Sequence, residues 1–178
     1  MSSAKGISKF SKKYGWFLSD ATNEEILSIS KELAGQMSSE TKNNTLISAI
    51  ILSTSMIVLI VMLFFGFDFQ TLSASYKSIA IMARLAGVLL VIAATIFSTS
   101  SLVKFLRASS LAPIMWRTVR EAVSDEAVYE SINMIKTMNQ LSFSGRNNME
   151  FALLTLTTGS ILFSISMIMI GLFTNGLL

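Results

Sequence analysis

The chain has 178 residues, of which 52% are apolar and only 14% charged, where an ordinary soluble domain carries about 25% charge. It has neither cysteine nor histidine, which together exclude disulfide frameworks, structural zinc, thiol nucleophiles and histidine-based triads. With a mean hydropathy of +0.61 and a net charge of +3, the composition predicts an all-α membrane protein and disfavours an enzyme.

Residues 1–44 read as cytoplasmic amphipathic helices. Ile7, Phe10, Tyr14 and Phe17 share one helical face among Lys5, Lys9, Lys12 and Lys13, which suits the plane of an anionic membrane surface; a disordered basic tail is the alternative. Thr22 and Glu25 form a capping box, predicting a helix that buries Ile26, Ile29, Leu33 and Met37. That helix either continues into the first span or bends at Lys42-Asn43-Asn44.

Residues 45–67 carry no charge and exceed the roughly 30 Å of bilayer hydrocarbon at 1.5 Å per residue, so they predict the first transmembrane helix. A short outer loop, 68–78, leads to a second transmembrane helix at 79–106, uncharged from Leu85 to Val103. Segment 107–148 predicts a cytoplasmic helical layer. Pro113 argues for a break near 108–113, Thr118 to Glu121 for a new helix start, and Gly145 for an interruption. The stripe Val128, Ile132, Ile135, Met138 needs a protein partner, for which the helix from Glu24 is the candidate in the same chain and the same face on a second copy the alternative. Residues 149–173 predict the third transmembrane helix and 174–178 an outer tail.

Twelve of the fourteen cations fall before the first span or between the second and third, leaving only Lys77 and Arg84 elsewhere. By the positive-inside rule the N-terminus and 104–148 are cytoplasmic and the C-terminus outside, in a cell membrane. No cleavable signal peptide is expected, because the first long apolar run begins only at Thr45.

Candidate chemistry is sparse. Asp125, Glu126 and Glu130 suit a helix first turn better than a metal site, so no catalytic, cofactor or metal-ligating residue is assigned. Arg84 lies about a turn and a half inside the second span, where it either snorkels to headgroups or joins a polar seam with Val91, Thr95 and Ser98. The pairs Ala83/Gly87 and Ser160/Ser164 have the small-xxx-small spacing of membrane helix packing. Three spans are too few to enclose a pathway, so any leak implies a homo-oligomer.

The Glu40-Thr41-Lys42 step into the first span and the Asn133 to Leu141 helix leading through Arg146 into the third carry one further pattern. With the short outer loop, it resembles the three-span membrane effectors of bacterial cyclic-nucleotide antiphage systems of the Pycsar type, although Asn43-Asn44 stand where that family has small residues. The resemblance implies a cyclic nucleotide as ligand, sensed in the cytoplasm, and oligomeric spans that impair the membrane. Arg117, Arg120 and Lys136 are the cations available to such an anion. The alternative is an accessory or structural subunit of a larger membrane complex, whose partners are other helices. The lipid bilayer is a partner in both readings, and no nucleic acid is expected.

Overall fold

The structure, a computed structural model, describes residues 23–64, 74–121 and 125–174. The basic N-terminal stretch, the Thr22 cap, most of the 68–78 loop and the tail after Thr174 lie outside them, as do the side chains of Ile26, Ile29, Arg120, Asp125, Glu126 and Val128. Three helices are present and no strand among the described residues: α1, Asn23–Phe64; α2, Ala74–Glu121; and α3, Asp125–Thr174. Each contains a stretch long and apolar enough to cross a membrane, namely Ser30–Phe64, Tyr76–Ile114 and Glu130–Leu172.

The helices are longer than a span requires. At 42, 48 and 50 residues they measure about 63, 72 and 75 Å, roughly twice the hydrocarbon thickness. Of the two continuations open to the first helix, α1 takes the unbroken one, through Lys42-Asn43-Asn44. The expected break at 108–113 does not occur, and Pro113 lies inside α2 with its ring exposed. Proline removes one ladder bond and crowds the carbonyl four residues earlier, here that of half-exposed Ser109, while buried Phe105, Ala108 and Ala112 hold the opposite side of the helix in place. Because the helix continues, Thr118 is no cap. Its Oγ1 donates back to the Ile114 carbonyl at 3.1 Å, and the next helix starts at Asp125. Gly145 does not interrupt α3 either; it is buried inside the helix.

The chain divides into two compact units, one formed by residues 1–45 and 104–144, the other by 46–103 and 145–178. The described part of the second unit contains only four charged residues, Lys77, Arg84, Arg146 and Glu150.

The first unit has an apolar core of Ala34, Ala112, Ile135 and Met138, flanked by Leu33, Met37, Leu111 and Met134. Ile132 is also buried, and of the stripe's described residues Ile135 and Met138 pack against α1 and α2 of the same chain. In the second unit the core is Ile51, Met62, Val91, Ala94, Ala152, Leu156 and Phe163. Its most buried positions step along each helix by three, four or seven: Ser48, Ile51, Ser55 and Met62 on α1, Gly87, Val91, Ala94, Ser98 and Ser101 on α2, Gly145, Ala152, Leu156, Gly159 and Phe163 on α3. That is the heptad spacing of knobs-into-holes packing, and here small and hydroxylated residues occupy nine of the fourteen positions. The large side chains point the other way, with Leu63, Leu89, Leu154 and Ile168 all exposed.

Gly87 and Gly159 set the spacing between α2 and α3. A Cβ on Gly87 would lie 2.9 Å from the Gly159 carbonyl oxygen, and one on Gly159 2.8 Å from that of Gly87, so each glycine occupies the room a side chain would need. Ser160/Ser164, by contrast, is not the packing pair, since Ser164 is exposed and bonded to its own helix. Gly159→Ala should therefore destabilise by about 1–3 kcal/mol, because backbone rather than a movable side chain obstructs it. Ser164→Ala should stay within about 0.5 kcal/mol of wild type. Chemical denaturation of the detergent-solubilised chain compares the two.

Candidate functional site

The distinctive feature of the second unit is a run of hydroxyls along its seam. Ser101 Oγ donates to the Gly145 carbonyl at 2.8 Å and lies 3.0 Å from Ser48 Oγ, with both serines fully buried. A serine hydroxyl has one proton, so with Ser101 donating to Gly145 it is Ser48 that donates to Ser101. Ser166 Oγ donates to the Ala80 carbonyl at 3.0 Å. Thr95 Oγ1 lies 3.0 Å from the Val91 carbonyl of its own helix and 3.3 Å from Ser55 Oγ, so its single proton is shared between the two, while Ser55 donates to Leu52. Asn148 Nδ2 donates to Ser100 Oγ at 2.9 Å, and Phe97 and Phe151 meet nearby with ring centroids 5.9 Å apart. Each contact ties two helices where a short side chain can reach only because the backbones are close.

Of the seam residues chosen from sequence, Thr95 is half-buried and bonded across to α1, whereas Ser98 is 1% exposed and its Oγ has no hydrogen-bond partner. Arg84 occupies the same four-three register, four residues after buried Ala80 and three before Gly87, and is itself half-buried. Its Nη2 donates to the Met62 carbonyl at 3.3 Å, in the last turn of α1. That turn has no basic residue of its own, so α2 supplies the cation that an α-helix C-terminus favours. No spacing within one helix could have revealed this contact.

The cations suggested for an anionic ligand sit elsewhere. Arg117 and Lys136 are both exposed residues of the first unit, and the side chain of Arg120 is not among the described ones. A shallow groove of about 180 Å³ in that unit is lined by Leu33, Gln36, Met37, Glu40, Ile135 and Asn139, so it offers a carboxylate and two amides and none of the three cations. Among the described residues, no three acidic groups cluster closely enough to hold a metal ion. Comparison with protein-family models, curated proteins and solved structures gives no match.

The hydroxyls of the first and third spans, Ser48, Ser55 and Ser166 among them, read from sequence as helix-packing material, and the seam uses all three; Ser101 and Gly145 were missed. The signal for Ser101 was the seven-residue step Ala94–Ser101, which a search for apolar periodicity passes over.

Arg84→Lys should be close to wild type in stability, since it retains the charge beside the α1 terminus, and Arg84→Gln should lose about 1 kcal/mol. Denaturation of both variants in low salt tests this. Equal losses would assign the stabilisation to the planar guanidinium instead of its charge.

Proposed function

We propose that the chain is a non-enzymatic, multi-pass protein of the cell membrane, with its N-terminus and residues 104–148 cytoplasmic, that acts as an effector by assembling with copies of itself and impairing the bilayer. The insertion reading is supported by the outward-facing apolar surface and by helix lengths that leave half of each helix beyond the hydrocarbon. Orientation is supported by the twelve-to-two division of cations.

The observation that carries the effector reading is the seam. A bundle held by Ser48, Ser101, Ser55 and Thr95 in place of leucine and isoleucine layers uses contacts that an equivalent helix of another copy can offer equally well. Hydrogen bonds of this kind average about 0.6 kcal/mol in membrane proteins, so exchanging them between copies costs little. Gating by a cyclic nucleotide rests on the family resemblance, with Arg117, Arg120 and Lys136 as its candidate contacts.

Reconstituting the full chain in anionic vesicles and measuring dye release alongside native mass tests this reading. An oligomer that leaks, and leaks less when Ser48 and Ser101 are both alanine, supports the effector; a tight monomer supports the accessory subunit. Topology is tested separately with single cysteines in the cysteine-free chain. Cysteine at Ser2 or at exposed Thr137 should be protected from an impermeant thiol reagent in intact cells, and cysteine at Ser75 or Asn175 should react.

A further inference from the structure

The first cations after the uncharged stretch Leu85–Val103 are Lys104 and Arg107, three residues apart and so neighbours on the surface of α2. Lys31, Lys42 and Lys136 of the first unit are exposed, whereas Lys104 is half-buried and its Nζ donates to Ser144 Oγ of α3 at 2.8 Å. That contact holds a flexible four-carbon stem in one place. Lys104 meets Ser144 while Ala112, further along α2, packs with Ile135 and Met138, so the two helices run antiparallel here and Arg107 comes level with Leu141, about one turn from Ser144.

These groups converge as donors. The Lys104 ammonium has three N–H groups and gives one to Ser144; Ser144, the acceptor of that bond, keeps its own proton to donate; and exposed Arg107 adds a guanidinium. Among the described residues neither cation forms an ion pair. The matching partner is an anion with several oxygens, as a phosphate is. Apolar surface lies beside the donors: Leu106, between the two cations in sequence, is 52% exposed, and Phe143, next to Ser144, is 67% exposed. Inorganic phosphate leaves both bare, whereas a phospholipid sets its headgroup on the donors and its acyl chains on apolar side chains.

We infer that Lys104, Arg107 and Ser144 form a headgroup site for an anionic phospholipid at the inner end of the second span. A choline headgroup would meet two like charges there and no carboxylate, which is why the site selects a lipid of net negative charge. The inference rests on the proposed insertion in a bilayer and goes beyond it in naming the lipid and the side chains that hold it.

The test is native mass spectrometry of the full chain reconstituted in vesicles of equal phosphatidylcholine and phosphatidylglycerol. Phosphatidylglycerol should be retained in preference, and Lys104→Gln and Arg107→Gln should each weaken its retention about five-fold, whereas Lys31→Gln, which removes an exposed cation of the same unit, should leave it unchanged. Equal retention of the two lipids, or the same loss from Lys31→Gln, would overturn the site. So would displacement of the lipid by inorganic phosphate or cyclic AMP, which would make it a site for a free anion. Incorporation is measured first, as resistance of the chain to an alkaline carbonate wash of phosphatidylcholine vesicles. A chain that washes off refutes the insertion reading and the site together, and one that stays but shows no lipid preference refutes the site alone.

Discussion

The backbone contact of Gly87 with Gly159 governs what the rest of the second unit can do. A serine side chain extends its oxygen only about 2.4 Å from Cα by ordinary bond lengths, so Ser101 can reach the Gly145 carbonyl, and Ser166 that of Ala80, only where α2 and α3 lie unusually close. Glycine at the crossing permits that approach, and the alanines at positions 80, 94 and 152 maintain it. Larger residues at the crossing would separate the helices and leave those hydroxyls short of their acceptors. The hydrogen bonds are thus a consequence of the packing distance more than its cause.

The seam also explains how so apolar a chain can be specific. In lipid, one leucine face is nearly as good as another against a neighbouring helix, because hydrocarbon chains solvate both equally well. Register must come from features that lipid cannot imitate, namely close backbone contact and hydroxyls with one good acceptor. Ser48 opposite Ser101 and Ser55 opposite Thr95 fix α1 against α2 at two points seven residues apart on α1. Arg84 at the Met62 carbonyl adds a third, seven residues further along.

The existence and approximate place of the three helices were legible because uncharged stretches of this length have few other uses. The buried stripe of the first unit was legible too, in Ile132, Ile135 and Met138, since there the ordinary rule of apolar residues inside holds. In the second unit that rule inverts. Leu89, Leu154 and Ile168 face outward while Ser, Ala and Gly face in, so the residues that dominate a hydropathy reading carry no packing information. Pro113 misled for a different reason: local preference argued for a break, and packing on the opposite side of α2 overrode it. Arg84 was singled out by its charge, but its acceptor lies on another helix, 22 residues earlier in the chain, where no motif connects the two.

The order in which these contacts become available follows from their separation along the chain. Ser48 and Ser101 are 53 residues apart, whereas Ser101 needs a carbonyl 44 residues further on and Thr41 meets Ser142 across 101 residues. At about 5–20 residues per second of synthesis, the α1–α2 hairpin exists for roughly 2–9 s before the acceptor for Ser101 has been made. During that interval Gly87 and Ser101 present an open groove to any α3 nearby, including one from a chain emerging alongside. Were the chain inserted and self-assembling as proposed above, third helices of neighbouring chains could be exchanged in that interval, before any complete bundle exists.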